Sequence, residues 1–206
     1  MTRTQTSAAI ELWLVDLETC AAALSIHERD AQVLAADERA RAQAIGDARE
    51  RGHRLAAYTA LRVLLERMAG PGVRGRPFVR APGGKPSLDL GGAEFSLSHI
   101  DGLALIGLSP ALPLGVDIES VRPIRMTARG LVEITAVGAG LSDKPLPDLG
   151  SDRTFLQAWA RLEAFAKARG RGVAQTLADV GARGKDRRQL SPAALEVKTR
   201  LVAREA

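Results

Sequence analysis

The sequence predicts an α+β fold laid out in two halves, and two observations carry that reading. Proline-free runs of helix formers fill residues 25–68 and 154–169, while short runs of strand type lie at 11–17, 94–98, 103–108, 114–119 and 195–202. A proline-bounded stretch at 110–113 then separates two parts, 1–112 and 113–206, each holding a substantial helix and some strands.

The elements follow in order. Residues 11–17 form a short apolar run that suits a strand. The clearest helix lies in the second half of 25–68, where Ala57, Leu61, Leu64, Leu65 and Met68 recur at helical spacing and Arg62, Glu66 and Arg67 take other faces. Gly70-Pro71-Gly72 stops it. Frequent Gly and Pro over 70–92 imply turns and extended pieces. The strand runs at 94–98 and 103–108 flank Asp101-Gly102, a strong hairpin signal. Residues 136–152, rich in Gly, Pro and Asp, read as a surface loop, and the helix over 154–169 ends at Gly170. A basic, glycine-containing connection at 181–188 leads to the strand at 195–202.

Composition narrows the class. The chain has 206 residues, 46% apolar and 26% charged, a balance that suits a folded globular protein. Acidic residues interrupt the N-terminal apolar run well before it reaches signal-peptide or membrane-span length, so neither export nor a membrane is expected. Cys20 is the sole cysteine, which excludes an intrachain disulfide and a Cys-rich zinc site and points to the cytoplasm. The net charge of +5 favours acidic proteins, phosphate-rich small molecules or nucleic acid alike. Aromatic residues make up 3% of the chain, too few for a stacking surface on single strands, so no nucleic-acid partner is expected.

Three segments could do chemistry. In Leu114-Gly115-Val116-Asp117-Ile118-Glu119, period-two alternation puts Asp117 and Glu119 on one side of a strand and Val116 and Ile118 on the other. Two carboxylates so close suit a hard divalent ion, or else form the wet face of an amphipathic strand. In the helix containing Trp159-Ala160-Arg161-Leu162-Glu163-Ala164-Phe165-Ala166-Lys167, the side chains of Trp159, Glu163 and Lys167 share one face. A surface ion pair between Glu163 and Lys167 is the ordinary alternative. In Phe95-Ser96-Leu97-Ser98-His99, the two hydroxyls share a side and His99 opens the hairpin. Gly83-Gly84-Lys85-Pro86 is too short for a phosphate loop of the P-loop kind. Arg49, Arg51 and Arg54 gather positive charge just before the strong helix, where guanidinium groups could meet phosphate or form a merely solvated helix face.

In this order, G-G-K-P, F-S-L-S-H, G-V-D-I-E and W-A-R-L-E-A-F-A-K resemble the signature set of the 4′-phosphopantetheinyl transferase superfamily. The likeness runs over about 35–172 and resembles the larger, surfactin-synthetase-associated members, in which two similar α+β halves form a pseudo-dimer within one chain. It implies a monomer that transfers the 4′-phosphopantetheine group from coenzyme A, the co-substrate, to a serine of an acidic apo acyl or peptidyl carrier protein. It implies Mg²⁺, with Mn²⁺ as an alternative ion, held by Asp117, Glu119 and Glu163. Lys85, Ser98 and His99 match positions that hold coenzyme A phosphates, and Arg49, Arg51 and Arg54 lie where the family contacts the 3′-phosphate. Glu163 would help to deprotonate the carrier serine, and Lys167 would stabilise the departing 3′,5′-ADP.

Three departures accompany the likeness. Leu162 stands where the family's helix usually carries Lys. Residues 128–140 lack the F-x-x-x-E pattern expected after the acidic strand, and the sequence stops soon after its last strand, where relatives continue through a further one. A non-catalytic relative that binds coenzyme A or a carrier protein is therefore the rival reading. A small basic nucleic-acid-binding protein is a second, but helix-turn-helix, zinc and stacking signatures are lacking.

Overall fold

Alternation along β2 (Ile10–Asp16) sends Ile10, Leu12 and Leu14 to one side and Trp13 and Val15 to the other, and each side is buried in a different apolar cluster. β6 (Leu103–Ser109) pairs antiparallel with it and divides likewise, with Leu103 and Leu105 on the first side and Ala104, Ile106 and Leu108 on the second. With β1 (Thr2–Ser7) and β5 (Glu94–Ile100) these strands form a sheet of order β1-β2-β6-β5. The computed structural model describes residues 1–7, 10–80, 83–142, 144–146, 151–182 and 196–202.

One face of this sheet carries α1 (Leu17–Ala31) and α3 (Ala48–Ala69), which close the main core around Leu24, Leu61, Leu65, Phe95 and Ile106. The predicted helical stretch is thus three helices, with α2 (Ala36–Gln43) between those two. It also begins earlier than expected. Asp16 ends β2 because its side chain caps α1, accepting from the Thr19 amide at 3.0 Å, a role that requires the extended backbone just before a helix.

A buried ion pair ties α2 to α3. Arg62, 0% exposed, donates through Nε to Glu38 at 2.9 Å, and its other nitrogens reach the carbonyls of Val73 and Arg76 at 2.7 Å each. Glu38, 1% exposed, also accepts from the Ala35 amide at 2.9 Å. The guanidinium carbon lies 3.8 Å from the centre of the Phe78 ring, so both polarity and packing of the 71–78 turn depend on this residue. That turn leads through a 3₁₀ turn at Pro71–Val73 to a two-stranded hairpin, β3 (Val79–Arg80) with β4 (Pro86–Ser87), in line with the expected turns and extended pieces.

The other sheet face receives β7 (Leu114–Ser120), whose Leu114, Val116 and Ile118 pack against Ile10, Leu12 and Leu105 across the proline-bounded stretch. β7 pairs in parallel with β8 (Glu196–Val202), close to the expected last strand; Leu195 and residues 183–188 of the basic connection lie outside the described residues. On the far side of β7 lies α5 (Asp152–Arg169), started by the Ser151 cap and ended at Gly170, where φ is 65°.

One reading needs correction. Residues 136–140 are the last turns of α4 (Ala128–Gly140) and not part of a loop. Glycines there look like turn residues, but a Cβ on Gly138 would lie 2.2 Å from the Ala158 carbonyl oxygen, so Gly138 is where α4 comes directly against α5. Ile134, Phe155, Leu156 and Leu162 close a third apolar cluster, to which α6 (Val173–Ala182), not expected from the sequence, adds Val173 and Leu177. No described helix is long and apolar enough to cross a membrane.

Candidate functional site: an acidic cleft joined to a basic cavity

The site begins with the absence of a side chain. A Cβ on Gly115 would stand 1.8 Å from the Ala164 carbonyl oxygen and 2.6 Å from the Ala168 amide nitrogen, so glycine lets β7 lie directly on the α5 backbone. Alternation then turns Asp117, two residues on, toward the same helix, opposite the face that buries Val116 and Ile118. At this close approach, Lys167 Nζ lies 2.6 Å from Asp117 Oδ1 and 3.4 Å from Glu163 Oε2.

β5 supplies the third side. Ser96 Oγ accepts from the Val116 amide at 3.1 Å, so a side chain links β5 to β7. Two residues along, Ser98 Oγ donates to Asp117 Oδ1 at 2.8 Å and accepts from Lys167 at 3.2 Å. Ser98 therefore holds Asp117 in place, a task its match to a phosphate-binding position did not suggest. Asp117 is 3% exposed, and its Oδ2 is buried without a hydrogen-bond partner. Burial pushes its pKa up to about 6, against the pull of Lys167 and Ser98.

Asp117, Glu119, Glu163, Lys167, Ser98 and His99 line one cleft of about 380 Å³. Glu119 is held at 2.5 Å by Arg122, which also reaches the Ser120 carbonyl. The three carboxylates share the cleft, and cationic side chains of the chain itself stand against each: Lys167 on Asp117 and Glu163, Arg122 on Glu119. Trp159, one helical turn before Glu163, packs against the third apolar cluster, with its ring stacked 6.4 Å from that of Phe155. Leu162 is fully buried in that cluster and faces away from the cleft.

His99 and Lys167 also line a neighbouring cavity of about 350 Å³. Among the described residues its basic lining comprises Arg41, Arg54, Arg80, Lys85, Lys167 and Arg171, of which Arg41 pairs with Asp37 and Arg171 with Asp179, and its one acid, Glu38, is engaged by Arg62. Gly83 lies against the end of α5, since a Cβ there would be 1.7 Å from the Gly170 carbonyl oxygen. That contact brings the G-G-K-P segment to the cavity wall, where Lys85 donates to Glu94 at 3.1 Å and to the Leu114 carbonyl at 3.3 Å. Sequence reasoning did not find Arg41, Arg80 or Arg171; Arg171 follows directly on the Gly170 that ends the motif helix, a signal that could have found it.

The arginines at the start of α3 divide. Arg54 lines the cavity, and its buried Nε has no hydrogen-bond partner. Arg49 instead pairs with Glu18 and with Asp101, and Arg51 donates to the carbonyls of Ile45 and Gly46 at 2.6 and 3.3 Å. Glu18, His53 and Asp101 offer ligand atoms within 4.8 Å of one another, but Arg49 already sits on both acids and the His53 ring lies 3.4 Å from each. The cluster clamps the hairpin tip to α1 and α3.

His99 sits where the two cavities meet. Desolvation, followed by the positive charges of Arg54 and Lys167, lowers its pKa from 6.5 to about 4. A lowered pKa means that the unfolded chain takes up the proton first. His99 therefore contributes stability that is complete above pH 6.5 and lost as pH falls toward 4. Asp117, raised from 3.8 to about 6, acts in the opposite sense, favouring the fold as pH falls through that window. Since Asp117 titrates in wild type and variant alike, the stability margin of wild type over His99→Gln should shrink between pH ~7 and pH ~4.5 in urea denaturation. A margin independent of pH would contradict a neutral, desolvated His99.

No family model matches the chain. A stretch of 151 residues, 72% of the chain, is 28% identical to a Synechocystis sp. protein whose curated name provisionally makes it a 4′-phosphopantetheinyl transferase. The match spans 61% of that protein's length. This likeness supports the transferase superfamily as the broad relationship.

Proposed function

We propose that the protein is a 4′-phosphopantetheinyl transferase that moves the phosphopantetheine arm of coenzyme A onto a serine of an acidic acyl or peptidyl carrier protein. The observation that carries this reading is the junction at Lys167 and His99, where a cleft lined by Asp101, Asp117, Glu119 and Glu163 meets a cavity lined, among the described residues, by six cationic side chains. A ligand with several phosphates suits such a pair of cavities, because guanidinium and ammonium groups bind its oxygens while the carboxylates hold a cation against them.

Asp117, Glu119 and Glu163 are the residues that would hold a hard divalent cation such as Mg²⁺ or Mn²⁺: all are oxygen donors lining one cleft and the partnerless Asp117 Oδ2 has an unmet need for positive charge, while as placed their oxygens do not all lie within 4.8 Å of one another. Once bound, such an ion would supply charge neutralisation on the pyrophosphate oxygens. Arg54 and Lys85 would hold coenzyme A phosphates, with neutral His99 beside them, while Ser98 acts as a positioning residue for Asp117. Arg54 lines the basic cavity and Arg49 and Arg51 do not, so Arg54 is the arginine of that cluster assigned to the 3′-phosphate. Glu163 would take the proton of the carrier serine as its oxygen bonds to the pantetheine-bearing phosphorus and the bond to 3′,5′-ADP breaks. Lys167 would meet the charge on the departing phosphate. The two-half pseudo-dimer division at 112/113, a monomeric state and a cytoplasmic setting belong to the same reading.

Calorimetric titration with coenzyme A tests the binding half. Binding is expected in the presence of Mg²⁺, and Lys85→Ala should weaken it by about 1.5–3 kcal/mol, the range for a hydrogen bond to a charged group. No binding by the folded wild type would overturn the reading, and unchanged affinity in Lys85→Ala would remove Lys85 from the phosphate contacts.

A further inference from the structure

Building on that reading, we propose that Lys167 is an internal counter-ion for Asp117 that a divalent cation must displace, and that the basic cavity is where its ammonium group goes. Three observations lead there. First, the ammonium lies 2.6 Å from Asp117 and 3.4 Å from Glu163, between two of the three carboxylates assigned to the cation. Second, Asp117 is 3% exposed, and a carboxylate so deeply buried needs a charge partner, because water cannot stabilise it. Third, Lys167 lines both cavities, and its flexible four-carbon stem allows the head group to leave one for the other without movement of α5.

Two cations cannot share these carboxylates without repelling each other, so entry of a divalent ion drives Lys167 from the acidic cleft. In the basic cavity Arg54, whose buried Nε has no hydrogen-bond partner, and Arg80, which donates to the Gly84 carbonyl, repel the displaced ammonium until an anion is present, while Arg41, Lys85 and Arg171 are paired with Asp37, Glu94 and Asp179. A ligand phosphate supplies that anion. The divalent ion and the phosphate ligand therefore help each other to bind, and the effect must be reciprocal. The consequence is a site that holds the metal weakly until its phosphate-bearing substrate arrives, and that depends on a single lysine to do so. Ser98, which touches both Lys167 and Asp117, keeps the carboxylate oriented during the exchange.

Direct contact between the ion and a phosphate would also link the two binding events, so the discriminating measurement omits the phosphate ligand. The probe is Mn²⁺ alone, followed by the paramagnetic resonance signal of the free ion. Lys167→Met, which keeps length and removes charge, should bind Mn²⁺ on the order of tenfold more tightly than wild type, within the usual range of coupling between sites. Lys167→Arg keeps the cation and should stay near wild type. Thermal melts confirm that both variants are folded, and the gain should vanish when Asp117→Asn is added to Lys167→Met. Equal or weaker Mn²⁺ binding by folded Lys167→Met, with wild type binding Mn²⁺ normally once coenzyme A is added, overturns the counter-ion role and leaves the transferase reading in place. A gain that persists with Asp117→Asn also overturns it. Wild type that binds no Mn²⁺ even with coenzyme A overturns both.

Discussion

Glu163→Gln should abolish most carrier modification while leaving the fold intact. Glu163 is a half-buried residue on α5 whose carboxylate lies 3.4 Å from Lys167, and no apolar cluster depends on it. Glutamine keeps its size and removes both negative charge and basicity. Loss of positioned proton transfer alone typically costs about 10²- to 10⁴-fold in rate, and a cation site reduced from three carboxylates to two adds to the loss. Raising Mg²⁺ should recover part of the activity, because mass action restores the ion but not the base. The control is Glu66→Gln: Glu66 pairs with Arg74 on the far part of α3, at 2.6 and 2.7 Å, and touches neither cavity. Initial rates of carrier modification measure both. A wild-type rate for Glu163→Gln under limiting Mg²⁺ would contradict the assignment of Glu163.

Arg62→Ala should be the most destabilising of the simple substitutions. It strands Glu38 in the interior, frees the buried Val73 carbonyl and the part-buried Arg76 carbonyl, and empties the space against Phe78. Removing one partner of a buried pair typically costs about 3–5 kcal/mol, against a total stability of roughly 5–15 kcal/mol for a domain. Urea denaturation should show that loss as a lower midpoint. The double change Glu38→Leu with Arg62→Met should recover much of it, because no uncompensated charge remains. A loss under ~1 kcal/mol for Arg62→Ala would mean that the pair is solvated, as exposed pairs are.

How much of this was legible depended on whether the determining contacts were local. The face shared by Asp117 and Glu119 follows from a period of two, and that of Glu163 and Lys167 from helical spacing, so local geometry sufficed for both. Gly170 ends α5 through its own left-handed backbone, again a local property. Gly115 and Gly138, by contrast, serve neighbours some 50 and 20 positions along the chain, and no local pattern separates a packing glycine from a turn glycine. Hence the end of α4 was read as loop. Arg49, Arg51 and Arg54 look equivalent in sequence, yet Glu18 and Asp101 claim the first and local carbonyls the second, leaving Arg54 for the cavity. Ser98 was read as a phosphate ligand because its partners, Asp117 and Lys167, come from other elements. Leu162 replaces a charged residue of the related pattern and is buried under α4 and α6, elements whose packing on α5 was not expected.

The most direct measurement is mass spectrometry of purified apo acyl and peptidyl carrier proteins after incubation with this protein, Mg²⁺ and coenzyme A. The account predicts that at least one carrier gains the mass of a single phosphopantetheine group on its serine, with matching release of 3′,5′-ADP, and that omitting Mg²⁺ prevents the gain. If the folded protein binds coenzyme A with Mg²⁺ and yet no carrier in a panel from fatty-acid, polyketide and peptide synthesis gains that mass, the transfer reaction is contradicted and the site belongs to a non-catalytic binder.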